Sequence, residues 1–290
     1  MIYVLLSVAC SVLVSVLLKL ARRFDVDVGQ AIAWNYVVAG ALTALLLQPA
    51  LGSLREPGAP WLALAGLGIL LPTIFLALAA SVRHAGIVRS DAAQRLSLLL
   101  SLLAAFVLFG EQLTAFKSFG IALGLLALPC MVWRRGHGVA NGGAMNGGAA
   151  GWFYPLLVFG GFGTIDILFK RVALAGVPLG ASLLAMFALA LLVAFALQLW
   201  RRAQGRTRFT LRSALAGVLL GLANFGNILF YLRGHRALPQ HPALVFASMN
   251  IGVVALGALV GLLLFRERLS RLNLVGVALA LLAIAVIAWQ

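Results

Sequence analysis

The 290-residue chain alternates long apolar stretches with short polar breaks. Ten stretches, roughly 2–20, 29–49, 61–81, 87–109, 114–133, 152–170, 178–200, 212–232, 243–265 and 272–290, have about the 20 residues a helix needs to cross the bilayer hydrocarbon. Apolar positions within them do not alternate. ALGALVGLLLF at 255–265 is apolar on every face, so the period of two that a membrane barrel requires is missing. The pattern predicts an all-α membrane protein of ten transmembrane helices.

Composition strengthens this reading, with 63% hydrophobic residues, 10% charged residues and a mean hydropathy of +1.08. The formal charge of +15 does not imply a nucleic-acid partner, because the basic residues are strung along helix ends and no polar segment exceeds about 20 residues. Their distribution is a topology signal. Fifteen Lys and Arg fall in the breaks after helices 1, 3, 5, 7 and 9, and six fall in those after helices 2, 4, 6 and 8. Positive charge collects on the cytoplasmic side, so this asymmetry places the odd breaks inside and both termini outside. MIYVLLSVAC lacks a basic start and runs into a full span, which favours a retained first helix over a cleaved signal peptide.

The chain also repeats itself. FGEQLTAFKSFGIALGLLALPCMVW (109–133) and FRERLSRLNLVGVALALLAIAVIAW (265–289) match at 10 of 25 positions, including Glu111 with Glu267, Gly120 with Gly276 and Trp133 with Trp289. At a similar offset LLKLARR (17–23) is echoed more weakly by LFKRVAL (168–174), with Lys19 over Lys170. Between the copies lies RRGHGVANGGAMNGGAAG (134–151), a Gly-rich stretch that reads as a flexible linker. The expected organisation is a five-helix repeat at 1–133, the linker at 134–151 and a second five-helix repeat at 152–290. Five is odd, so the second copy enters the bilayer upside down, an arrangement recurrent in alternating-access transporters. Each repeated Glu then sits in the turn joining the fourth and fifth helices of its unit, where its carboxylate favours the dipole of the helix that follows.

These residues resemble the ten-helix EamA-like branch of the drug/metabolite transporter superfamily. The carrying motif is Gly110-Glu111-Gln112-Leu113 with Gly120 and Leu123, answered by Phe265-Arg266-Glu267-Arg268-Leu269 with Gly276 and Leu279. Two departures are Arg266, where the motif usually has Gly, and helices 4 and 9, which lack the Pro common after their polar start. The resemblance implies transport and implies cytoplasmic termini, the opposite of the charge distribution. Family members that expel lipophilic cations use a carboxylate in the first helix. IYVLLSVACSVLVSVLLKL has none, which disfavours cation export.

Polar groups at membrane depth are costly and need a partner or a function. In helix 4, Asp91 and Arg95 are four apart, with Gln94, Ser97 and Ser101 alongside. They read either as an anion site or as an ion pair at a helix start. Helix 8 places Asn224, Asn227 and Tyr231 on one face, suited to a polar solute or to interhelical bonding. Ser248 and Asn250 of helix 9 occupy repeat positions equivalent to Ala92 and Gln94, so Gln94 and Asn250 form the preferred pair across the expected axis. Asp166 is a coupling acid or the i,i+4 partner of Lys170. Lys19 and Lys170 near helix ends snorkel to the interface or attract an anion. Trp34 and Asn35 of helix 2 line a cavity or pack. Gly120, Gly124, Gly217, Gly221, Gly257 and Gly261 form small-xxx-small pairs for close helix approach.

His84, His235 and His241 fall in expected breaks and read as solvated. With Cys10 and Cys130 both in apolar spans and no metal-ligand spacing, no metal or cofactor is expected. No hydrolase, nucleotide-binding or zinc-protease motif occurs, so no enzyme activity is expected. The function read from the sequence is secondary transport of a small polar metabolite, carboxylate-bearing or zwitterionic, across the inner membrane. The partners are a small-molecule substrate and membrane lipids, without nucleic acid; coupling to protons or a second solute and the choice between monomer and homodimer stay open. The alternatives are a flippase for a lipid-linked headgroup and a non-transporting membrane scaffold.

Overall fold

The computed structural model describes residues 1–85, 87–132, 150–265 and 271–288. Among them are ten α-helices and no strand: α1 (Ile2–Arg23), α2 (Val28–Leu47), α3 (Trp61–Ala85), α4 (Ile87–Val107), α5 (Ala115–Val132), α6 (Ala150–Leu174), α7 (Leu179–Ala203), α8 (Leu211–Ala237), α9 (Pro242–Phe265) and α10 (Arg271–Ala288). A 3-10 turn, Leu51–Arg55, lies between α2 and α3. Residues 134–149 of the expected linker and Glu267 with its neighbours at 266–270 fall outside the described residues.

Seven helices, α1, α2, α3, α6, α7, α8 and α9, are long and apolar enough to cross a membrane among the described residues. The apolar parts of α4, α5 and α10 are shorter, Ala93–Val107, Ala115–Ala127 and Leu274–Ala283. Helices α3, α6 and α8 run about one turn beyond the ends that hydropathy predicts. Hydropathy reports lipid compatibility, whereas a helix continues as long as its backbone ladder does. Arg233, His235 and Arg236 therefore belong to α8, and Lys170 and Arg171 to α6, rather than to polar breaks.

The helices form two compact units, each drawing on both ends of the chain. Met1–Thr73 with Ile165–Pro239 make the first, where α2 packs on α7 and α8, and α1 packs on α8. Ile74–Thr164 with Gln240–Gln290 make the second, where α10 packs on α5 and α9, and α4 packs on α9. The division passes through α3 beside Pro72 and through α6 just after Gly160, Gly161 and Gly163.

Glycine sets the closest approach in the first unit. A methyl on Gly217 would stand 2.4 Å from Cβ of Trp34 and 2.8 Å from the Ala31 carbonyl oxygen, and one on Gly221 would stand 2.7 Å from Cβ of Val38. Helix α8 therefore rests directly on the backbone of α2, as the spacing of the two glycines predicts. Gly124 likewise faces Ile251 of α9 in the second unit. Gly257 does not serve this purpose, since a methyl there meets nothing within 4 Å. Trp34 packs, its ring edge-on to Phe195 at 5.6 Å.

Side chains cap three helix starts. Asp27 Oδ1 accepts the Gln30 N–H at 3.1 Å ahead of α2, and Thr210 Oγ1 accepts the Ser213 N–H at 3.3 Å ahead of α8. Thr114 does the same for α5, accepting the Lys117 N–H at 3.3 Å.

Candidate functional site

A row of polar side chains runs through the apolar interior of the first unit, built on α6 and α8. Asn227, Tyr231 and His235 follow one another at intervals of four along α8, which puts them on one face. Asp166 and Lys170 share a face of α6 for the same reason. The Tyr231 hydroxyl donates to Asp166 Oδ1 at 2.9 Å. Its ring is held edge-on by Phe169 at 5.6 Å and by His235 at 4.8 Å. At the α1 side, the Ser7 hydroxyl lies 2.9 Å from both the backbone oxygen and Oδ1 of Asn227.

Lys170 is fully buried and its ammonium donates to the Pro239 carbonyl at 2.8 Å. It does not snorkel to the surface, which corrects the expectation; Lys19, its repeat partner, is exposed. His235 is also fully buried, so the expectation of a solvated loop histidine is wrong for it. The cause is the extra turn of α8, which carries His235 back among the helices. His84 is exposed as expected, stacked on Tyr154 at 4.7 Å.

Of the residues proposed from sequence, the row unites Asp166, Lys170, Asn227 and Tyr231. Asn224 precedes them on α8 and is half-buried. The row carries an acid, a phenol, an ammonium and a carboxamide within about 12 Å along the helix axis. Such a set hydrogen-bonds polar solutes and presents both signs of charge.

The second unit holds the remaining candidates on α4 and α9, which pack against each other. Gln94 and Arg95 are half-buried, and the side chain of Asp91 lies outside the described residues. Ser97 donates to the Gln94 carbonyl at 2.6 Å and Ser101 to the Ser97 carbonyl at 3.3 Å. Both hydroxyls thus bond their own helix, the ordinary behaviour of serine in a membrane span. Asn250 similarly donates to the Phe246 carbonyl at 3.0 Å, and Ser248 is buried.

Glu111 takes a place that its sequence position does not suggest. Its Oε2 accepts the Ala243 N–H at the start of α9 at 2.6 Å, while Oε1 pairs with Lys117 at 2.9 Å and stands 4.0 Å from His241. The carboxylate therefore serves the dipole of α9, not that of α5. Thr114 already caps α5, and Pro242 at the first position of α9 leaves the Ala243 N–H as a donor to be satisfied. Gly110, at φ +65°, makes the turn after α4 that brings Glu111 there.

A model of the EamA-like transporter family matches residues 1–133. A protein of Haemophilus influenzae is 42% identical over 288 residues, covering 96% of this chain and 94% of that protein. The chain belongs to the EamA-like transporter family. A solved crystal structure sharing 20% identity superimposes with a TM-score of 0.72, covering 98% of this chain and 95% of its own, so the fold is shared. As an EamA-like transporter with long apolar helices, it is a multi-pass membrane protein.

Sequence reasoning missed Ser7 and His235 in this transporter. Ser7 had a readable signal, since Ser7, Ser11 and Ser15 recur every four residues of α1 and so mark one face. His235 had none, because its burial depends on where α8 ends. Also missed was the buried carboxamide of Gln30, which reaches the Thr207 hydroxyl at 2.8 Å and ties α2 to the turn after α7.

Proposed function

We propose that this chain is a secondary transporter of the inner membrane that moves a small polar metabolite, carboxylate-bearing or zwitterionic. The observation that carries this reading is the part-buried Asp166–Tyr231 hydrogen bond with the fully buried Lys170 one turn away on the same face of α6. An acid and an ammonium at this depth are costly to insert, and each needs a partner or a task. Together they offer opposite charges about 6 Å apart along the helix axis, the order of spacing between the ends of a zwitterion. Asn227 and Tyr231 add hydrogen bonds that orient the solute.

Alternating access of two inverted repeats, 1–133 and 152–290, is the proposed mode of movement. Helix pairing supports it. An exchange of repeats maps α2·α7, α4·α9 and α5·α10 onto themselves, and all three pairs are packed. It also maps α1·α8 onto α6·α3, where Gly66 meets Leu168, and α2·α8 onto α7·α3, where Gly68 meets Leu189. Gln94, Arg95, Ser248 and Asn250 are proposed to contribute from α4 and α9.

Counterflow of radiolabelled amino acids and organic acids in proteoliposomes tests the proposal. Saturable exchange that is lost in Asp166→Asn and Lys170→Met, both still folded, is the expected result. Absence of saturable exchange for any solute by the folded native chain would remove the transport reading and leave flipping or scaffolding. Exchange unaltered by both substitutions would remove only the site.

A further inference from the structure

The turn between α7 and α8 is unusually basic and unusually well fixed. Residues 201–212, RRAQGRTRFTLR, hold five arginines and no acid. The Thr207 hydroxyl donates to Asp27 Oδ2 at 2.7 Å, and the Gln30 carboxamide bridges Thr207, the Arg208 carbonyl and the Thr210 N–H at 2.8, 2.5 and 3.1 Å. Gly205, at φ +69°, reverses the chain. The turn is thus anchored on the start of α2 by buried polar groups.

Two of its arginines are engaged. Arg201 bonds Asp27 Oδ1 at 3.4 Å and Gln198 Oε1 at 3.2 Å, and Arg212 donates to the Phe24 carbonyl at 3.2 Å. Arg202 and Arg208 are exposed and line, with Gly205, Thr207 and Phe209, a cavity of about 450 Å³. The Arg202 guanidinium lies 5.4 Å from the centre of the Phe209 ring, which restricts its plane. The nearby acids in sequence are Asp27, already bonded by Thr207 and Arg201, and the exposed Asp25 of the α1–α2 turn.

Large exposed apolar side chains adjoin the turn on the two apolar helices that it joins. Leu199 and Trp200 at the end of α7, and Leu211 and Leu215 at the start of α8, are exposed. A cavity lined by two arginines, at a turn between two helix ends that carry exposed apolar side chains, fits an amphiphile with an anionic head.

We propose that this cavity holds the phosphodiester of an anionic glycerophospholipid, with Arg202 and Arg208 donating to the phosphate oxygens and the acyl chains lying along Leu199, Trp200, Leu211 and Leu215. Guanidinium groups bind phosphate through paired, charge-assisted hydrogen bonds. Fixation of the turn spares the lipid the entropy of ordering it. The apolar flank selects a lipid over free phosphate. The site stands apart from the Asp166 row and does not depend on what the protein carries.

The test is native mass spectrometry of the full chain released from vesicles of equal phosphatidylcholine and phosphatidylglycerol, with retained lipid quantified. The native chain is expected to keep phosphatidylglycerol. Each of the two lining arginines contributes about fivefold beyond the general attraction of the turn, so R202Q/R208Q should lower retention at least about twenty-five-fold, whereas R206Q, outside the cavity lining, should lower it no more than about fivefold. Inorganic phosphate should not displace phosphatidylglycerol from the chain in the mixed vesicles, nor raise its melting temperature in phosphatidylcholine vesicles. Equal retention in R202Q/R208Q, an equal loss in R206Q, or displacement by inorganic phosphate would each overturn the proposal. If the double variant does not fold, R208Q alone, with a loss about fivefold greater than that of R206Q expected, decides the matter.

Discussion

Glu111 accepts the backbone N–H of Ala243 at 2.6 Å across 132 residues of sequence, so the turn after α4 caps α9. The same carboxylate neutralises Lys117, which is almost fully buried. Removing one member of a buried pair leaves the other charge uncompensated, at a cost of about 3–5 kcal/mol. Glu111→Ala should therefore lower the melting temperature sharply in a thermal unfolding assay. Glu111→Ala/Lys117→Ala should be less unstable than the two single losses summed, and additivity would refute the pairing.

The hydrogen bond from Tyr231 to Asp166 leads to a transport prediction. A hydrogen bond to a charged group is worth about 1.5–3 kcal/mol, so Tyr231→Phe should reduce kcat/KM about ten- to hundredfold if the substrate exploits this geometry. Asp166→Asn should reduce it at least as much. Uptake and melting temperature measured on the same preparations separate a loss of function from a loss of fold.

Gly217 and Gly221 set a steric limit. Gly217→Ala and Gly221→Ala would each press a methyl on the backbone of α2, where the Ala31 and Asn35 carbonyl oxygens stand 2.8 and 2.9 Å away. Overpacking of this kind costs about 1–3 kcal/mol. Gly257→Ala meets open space and should be neutral or stabilising by up to about 1 kcal/mol through helix propensity. Melting curves of the three variants should rank in that order.

Acid should weaken the α2–α7–α8 network in a defined sense. Burial raises the pKa of Asp27, but bonds from Thr207, Gln30 and Gly29 and the charge of Arg201 outweigh it and hold the carboxyl below its ordinary value. A carboxyl with a depressed folded pKa contributes its stability in full above the unfolded value, about 3.9, and loses it as pH falls through the folded one. The stability difference between the native chain and Asp27→Asn should be constant near neutral pH and shrink below about pH 4. A difference that grows on acidification would contradict the assignment.

Much of the architecture was legible because its causes are local. Apolar length marked all ten helices, and Gly217 with Gly221 marked a close contact. The candidate row was legible only in part. Asp166, Lys170, Asn227 and Tyr231 stood out as polar groups in apolar spans, but the pairing of Asp166 with Tyr231 spans 65 residues and no local pattern selects it.

The sequence by itself determined where helices form, because hydropathy and capping act within one or two turns. Tertiary structure alone decided that Lys170 and His235 are buried, that Ser7 meets Asn227 across 220 residues, and that Glu111 stabilises α9 instead of the helix it precedes. A side chain bonds whichever unsatisfied group the packing brings within about 3 Å, and that neighbour is set by helices far away in the chain.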